Sequence, residues 1–290
     1  MFFHWRPSYK FDKKSAFELI NYGKQVVGAN ILVFLITIID VAFIGRILGA
    51  DDLGYYSIAM GVAGLLTTQV AVLMRSVMFP IYSTIQDDSR TLKRAYLKTI
   101  KYVPLISIPA SLGIFAISGD FVQVVYGSKW LPAVATLQVL SFYGLNRSLL
   151  STTENLYLAT GRPQIRTELN LLQLVLMAVL MYPLMMRYGI MGVAIAATLP
   201  SVLVVVLTLR EAGKIIGESF GFIARTFVPS IMGSLVMVVG IYAWYYVAAG
   251  LGPVLRLGVS VVIGTVVYVG FLWITKRELF YEIRELVGRK

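Results

Sequence analysis

The chain has no cysteine, which excludes a disulfide, a thiolate metal site and a cysteine nucleophile. It has one histidine, His4, so neither a histidine metal cluster nor a histidine base for a catalytic triad can be built. Charge is scarce: Asp, Glu, Lys and Arg make up 14% of 290 residues. Long polar segments are missing too. The longest polar connections, 81–101 and 210–222, are too short for a soluble catalytic domain. A cleavable leader is not expected, because residues 1–24 are polar, basic and aromatic and hold no short apolar core before a small-residue cleavage site. An ordinary soluble domain is about half apolar. This chain is 58% hydrophobic with a mean hydropathy of +0.76, and that class is excluded.

What the chain has in abundance is apolar length. Hydrophobic stretches occupy 25–45, 55–80, 102–118, 133–159, 165–186, 190–209, 223–248 and 254–275. About 20 mostly apolar residues cross the hydrocarbon of a bilayer as a helix. No water is present there to satisfy backbone groups, so each span must be helical. The expectation is an all-α polytopic membrane protein with about eight transmembrane helices.

The net charge of +11 does not point to nucleic acid, because of where it lies. With the first residue placed in the cytoplasm and the sides alternated, twenty of the 26 Lys and Arg fall inside. Four (Arg46, Lys129, Arg187 and Arg256) fall outside, and Arg75 and Arg147 lie within spans. Such asymmetry is the positive-inside rule. It predicts both termini in the cytoplasm, location in the plasma membrane, and basic segments that meet anionic lipid.

Short amphipathic pieces accompany the spans. Ser15 with Glu18 three residues later is a capping-box pattern and predicts an interfacial helix over 15–24. Residues 82–98 mix basic and apolar side chains and predict a surface-lying helix. Pro80, Pro104, Pro109, Pro183, Pro200 and Pro229 enter or border spans and can kink them; they are either hinges or simply tolerated. Tyr242, Trp244, Tyr245 and Tyr246 read as an interfacial aromatic belt. The acidic pairs Asp51–Asp52 and Asp87–Asp88 read as helix caps or solvated loop residues, not as a metal motif.

A charge at bilayer depth costs roughly 2.5–3.5 kcal/mol on insertion scales, so ionisable residues inside spans are functional candidates. On the fourth span Tyr143, Arg147, Ser151, Glu154 and Leu158 share one helical face, with Asn146 and Asn155 alongside. Arg147 and Glu154 are two turns apart, about 10 Å along the axis, so each needs water, a ligand or another helix. They either pair with neighbouring helices or line a transport path. Arg75 either snorkels to the membrane surface or meets a phosphate in a cavity, with Thr67, Thr68 and Gln69 deeper in the same helix. Asp40 either accepts hydrogen bonds from a neighbouring helix or binds a proton or cation during turnover.

Seven short motifs in order carry a resemblance: Arg6-Pro7-Ser8-Tyr9-Lys10-Phe11-Asp12, Ile39-Asp40, Ile44-Gly45-Arg46-Ile47-Leu48-Gly49-Ala50, Leu53-Gly54-Tyr55-Tyr56-Ser57, Phe79-Pro80-Ile81-Tyr82-Ser83-Thr84-Ile85-Gln86-Asp87-Asp88, Gly127-Ser128-Lys129-Trp130-Leu131-Pro132-Ala133 and Leu158-Ala159-Thr160-Gly161-Arg162-Pro163. Together they resemble the polysaccharide biosynthesis (Wzx-type, O-antigen) flippases of the superfamily that includes the multidrug-and-toxin extruders and the lipid II flippase. The resemblance implies two six-helix bundles around a central cavity, often with two further helices. This chain resembles the second bundle with the added pair. The implied division is a cytoplasmic linker and interfacial helix over 1–24, a six-helix bundle over 25–222, two additional helices over 223–275 and a basic tail over 276–290. The chain is then a fragment of a longer protein, or a first half encoded separately, or self-association, supplies the other bundle.

The implied activity is transfer of a polyprenyl-diphosphate-linked oligosaccharide from the cytoplasmic to the outer leaflet by alternating access, without a cofactor or a resident metal. Substrate contacts are expected from Arg147, Arg75, Asn146, Ser151 and Gln69. Coupling to Na+ or H+ is expected from Asp40 and Glu154. A multidrug-type cation antiporter half and an inactive truncated flippase are the competing readings. A membrane transferase or polymerase is disfavoured by the lack of a long catalytic loop or an Asp-rich metal motif.

Overall fold

The computed structural model describes residues 12–73, 76 and 78–276, and all regular structure among them is helical. The elements are α1 (Lys13–Ile47), α2 (Ala50–Leu73), α3 (Phe79–Thr84), α4 (Ser89–Val125), α5 (Ala133–Ala159), α6 (Pro163–Ile216), α7 (Phe220–Arg225), α8 (Val228–Val247) and α9 (Pro253–Thr275). The hydrophobic stretches fall mainly on the long helices, and α6 carries two of them. Five helical runs, Gly23–Ile47, Ser89–Val125, Pro163–Ile216, Phe220–Val247 and Pro253–Thr275, are long and apolar enough to cross a membrane by length and composition.

The 54-residue α6 is two arms joined at Gly189, whose backbone (φ 58°, ψ −138°) leaves the helical region. Met177, Met181 and Met185 of the first arm and Val193, Ala194 and Ala197 of the second belong to one apolar cluster. Ile165 and Leu169 pack with Leu209, Ala212 and Ile216 in another. Residues far apart along one rod cannot share neighbours at both ends, so the arms form an antiparallel hairpin. Helices therefore run up and down through the first cluster, which holds Ile36, Ile44, Tyr56, Leu137 and Leu140, and the second, which holds Tyr96, Ile100, Leu149, Leu156 and Tyr157. The second cluster marks the basic end of the bundle, where α1 and α4 begin.

Two expected surface helices are absorbed into longer elements. α1 runs without interruption from Lys13 to Ile47, so the 15–24 segment continues directly into the first span. Segment 82–98 ends α3, turns and begins α4; residues 86–90 are exposed, whereas Tyr82 and Tyr96 are fully buried, bonded to Thr99 at 2.8 Å and Thr153 at 3.0 Å. These tyrosines account for the apolar half of a pattern that also fits a membrane surface. Asp88, read as a cap, is the N-cap of α4 and accepts from the Arg90 and Thr91 N–H groups. The Thr91 hydroxyl, then its N–H, hold this exposed carboxyl below the usual carboxylate range. Its stabilising effect on the helix start is present at neutral pH and fades as pH falls through the lowered value. Asp51 and Asp52 occupy the first turn of α2, where negative charge suits the helix dipole.

The pair α8–α9 packs on α4 through Ala116, Met237, Ile241, Tyr268 and Leu272. Asp120, 5% exposed, accepts two hydrogen bonds from Arg256, the one from Nε at 2.7 Å. The Arg256 guanidinium lies 5.4 Å from the Tyr245 ring centre, and Trp244 Nε1 donates to the Arg256 carbonyl at 3.4 Å. Tyr242 and Tyr246 are exposed as a belt requires, whereas Trp244 and Tyr245 belong to this clamp. Close approach of α8 and α9 depends on Gly233, where a Cβ would come within 2.9 Å of Phe271 and 3.1 Å of Tyr268. Gly233→Ala is expected to cost about 1–3 kcal/mol through overpacking. The check is the thermal midpoint in detergent, with Gly258→Ala, whose Cβ would meet nothing within 4 Å, expected to leave it unchanged.

Candidate functional site

The polar stripe of α5 opens onto two cavities against α1. The first, of about 520 Å³, is lined by Thr37 and Asp40 of α1, Tyr56, Ser57 and Met60 of α2, and Tyr143 and Arg147 of α5, with others. Asp40 is 2% exposed. Its carboxylate accepts a 2.6 Å hydrogen bond from the Tyr56 hydroxyl and a 2.8 Å bond from the Val41 N–H. Arg147, half-buried, forms no ion pair with a carboxylate among the described residues. One wall therefore presents a guanidinium while another holds a carboxylate already satisfied by a tyrosine. A half-open cleft of this kind can bind an anion on Arg147 and can hold a proton or cation at Asp40.

The second cavity, of about 280 Å³, lies closer to the basic end. It is lined by Val26 and Asn30 of α1, Ser151, Glu154, Asn155 and Leu158 of α5, and Arg166 of α6. Glu154 Oε2 lies 3.0 Å from Arg166 Nε, yet that N–H forms no aligned hydrogen bond. Ser151 Oγ donates to the Ser148 carbonyl at 2.9 Å, and Asn155 Nδ2 to the Ser151 carbonyl at 2.7 Å.

The five stripe residues thus divide: Tyr143 and Arg147 face the first cavity, and Ser151, Glu154 and Leu158 face the second. Asn146 faces neither. It is buried, and its amide donates to Ser201 of the second α6 arm at 2.8 Å; as the residue next to Arg147 it points about 100° away around the helix. Gln69 lies on α2, and Arg75 falls outside the described residues. Tyr56 and Arg166 are the cavity-lining candidates that sequence reasoning missed. Arg166 counts among the cytoplasmic charges by position, although Arg166, Asn170 and Gln173 recur at helical spacing and all three are buried. That polar face on an apolar span was the available signal. Among the described residues, no cluster of three or more metal-ligating side chains occurs.

Known proteins share this sequence and architecture. Residues 1–135 match the family model of the polysaccharide biosynthesis proteins. The lipopolysaccharide biosynthesis protein WzxC of Escherichia coli (strain K12) is 30% identical over 203 residues, which are 70% of this chain and 40% of that protein. The probable low-salt glycan biosynthesis flippase Agl15 of Haloferax volcanii is 24% identical over 265 residues, 91% of this chain and 54% of that protein. The solved structure of the lipid II flippase MurJ, in an inward closed conformation, superposes with a TM-score of 0.69 at 19% identity, over 94% of this chain and 57% of that one. At that identity the likeness shows the shared fold. The chain spans between 40% and 57% of the length of these three proteins. Motifs in order, a matching family model and a common helical architecture agree: residues 1–135 of the chain match the polysaccharide biosynthesis protein family, the one its motifs resemble.

Proposed function

We propose that the chain forms a lobe of a flippase that moves a polyprenyl-diphosphate-linked oligosaccharide from the cytoplasmic to the outer leaflet of the plasma membrane. The observation that carries this reading is the cleft in which Arg147 stands without a carboxylate partner among the described residues, opposite a hydrogen-bonded Asp40. A guanidinium fork suits two-point contact with phosphate oxygens. The head group travels through the cleft while the prenyl tail stays in lipid. Both termini lie in the cytoplasm, as the charge asymmetry requires. Residues 25–222 form the moving bundle, 223–275 an added helical pair, and 1–24 and 276–290 basic flanks at the lipid surface. A second lobe closes the other side, and the two rock about the site. Asp40 takes the coupling ion, H+ or Na+, because Glu154 is already neutralised by Arg166.

Support comes from the flippase and biosynthesis names of the relatives and from the polar stripe that opens onto cavities in an apolar bundle. Arg147→Ala removes one charge-assisted hydrogen-bonding group from the cleft. It is expected to lower the flipping rate of a fluorescent polyprenyl-diphosphate oligosaccharide in proteoliposomes by at least about tenfold. An unchanged rate at normal protein content defeats the assignment.

A further inference from the structure

The Glu154–Arg166 cavity lacks the composition expected of an ion site. A cation attracted by Glu154 meets a guanidinium whose Nε is 3.0 Å from the same carboxylate. A phosphate attracted by Arg166 meets that carboxylate in turn. The pair is internally neutral, so a charged ligand gains attraction from one partner and an opposing repulsion from the other. Its hydrogen-bonding capacity, however, is not used up. Arg166 is 5% exposed, and its Nε–H has no hydrogen-bond acceptor among the described residues. Two carboxamides, Asn30 and Asn155, complete the wall, with Ser151 beside them. One and two turns further along α6, buried Asn170 Nδ2 and both amide atoms of Gln173 also lack partners. Buried polar atoms are nearly always satisfied, by ordered water where protein does not serve. The unpartnered Arg166 Nε–H on the cavity wall marks a place where exchangeable hydroxyls or waters are the partners.

A neutral ligand dense in hydroxyls answers the features of the cavity wall. We infer that the Glu154–Arg166 cavity is a sugar subsite that holds one hexopyranose of the transported head group. The carboxylate accepts from a pair of vicinal hydroxyls, the guanidinium and carboxamides donate to ring substituents, and Val26 and Leu158 cover an apolar sugar face. About 280 Å³ suits a single ring, slightly below the usual range for drug-sized ligands. Two turns of α5, about 10 Å, separate Glu154 from Arg147. A diphosphate on Arg147 therefore leaves its nearest sugars within reach of the subsite. This assignment rests on the transport reading above and adds to it a site for sugar selectivity.

The test uses the purified full chain in nanodiscs with two probe types: farnesyl diphosphate, and farnesyl diphosphate bearing one glucose or one galactose. The wild type is expected to bind a glycosylated probe about tenfold tighter than the bare one, the effect of one hydrogen bond to a charged group. Asn30→Leu, on the exposed α1 side of the cavity, is expected to erase that preference and leave the affinity for the bare probe unchanged. Ser151→Leu provides a second block from α5. Arg147→Ala is expected to weaken both probe types. Equal wild-type affinity for bare and glycosylated probes overturns the sugar subsite alone, as does a preference that survives both leucine variants. A wild-type chain that binds neither probe type overturns the transport reading and this one together.

Discussion

Replacing Gly192 by alanine is expected to prevent α6 from folding back on itself. A Cβ at this position would lie 1.9 Å from the Leu184 carbonyl oxygen and 2.4 Å from its carbon. Both are backbone atoms of the opposing arm, so no side-chain rotation relieves the overlap. Either the arms part or the turn at Gly189 is rebuilt. Parting them exposes the shared packing of Met181, Met185, Val193 and Ala196. The cost is expected to exceed about 4 kcal/mol, in the range reserved for severe core or backbone disruption. Gly189→Ala should do less harm: at φ 58° the position is strained for any other residue, but a Cβ there meets nothing within 4 Å, and about 1–3 kcal/mol is expected. The measurement is the yield of monodisperse protein and its thermal midpoint in detergent. A Gly192→Ala variant that melts with the wild type would show that the close approach of the arms is wrong.

How this hairpin reads from sequence indicates what was legible. The break between the stretches 165–186 and 190–209 was visible as Tyr188-Gly189-Ile190 between apolar runs, because a polar or glycine interruption is what hydropathy detects. The resemblance motifs were legible for a related reason. Gly49, Gly127 and Gly161, each at positive φ, sit in three of them, and these motifs are the turns that join α1 to α2, α4 to α5, and α5 to α6. The α5 stripe was also legible, since one helix carries it and 3.6 periodicity places its members on one face. Partners across helices were not. Asp40 with Tyr56, Glu154 with Arg166 and Asp120 with Arg256 join residues 16, 12 and 136 positions apart, and no local period encodes which faces meet. Asp120 and Arg256 also lie beyond the apolar runs 102–118 and before most of 254–275, so a hydropathy boundary hides a pair that the longer helices α4 and α9 bring together. Asn146 shows the converse: adjacency to Arg147 suggested a shared cavity, while the helical turn sends it to Ser201.

On the proposed transport reading, Asp40→Asn is expected to change the leaflet ratio that the substrate reaches under a membrane potential. The substitution preserves most of the local structure. The asparagine carbonyl can still accept from the Tyr56 hydroxyl, which bonds Asp40 at 2.6 Å, and the side-chain volume hardly changes, so the buried site between α1 and α2 should keep its packing. What disappears is a charge that can be neutralised by a proton or a cation. If one elementary charge crosses with each transport cycle, 100 mV is worth about 2.3 kcal/mol, enough to hold the substrate about 50-fold out of balance between leaflets. The wild type in proteoliposomes at a potassium-valinomycin potential of that size should approach this ratio, and Asp40→Asn should settle at a different one, set by the charge of the diphosphate alone. Tyr56→Phe separates charge from geometry: it removes one hydrogen bond and leaves the carboxylate titratable, so the response to potential should survive. Arg147→Ala should slow the approach to the ratio without changing its final value, because a binding residue alters rate whereas a coupling residue alters the end point. A wild-type ratio that ignores the applied potential, or an Asp40→Asn variant that still reaches the wild-type ratio, removes Asp40 from the coupling role and leaves it as a hydrogen-bonded link between α1 and α2.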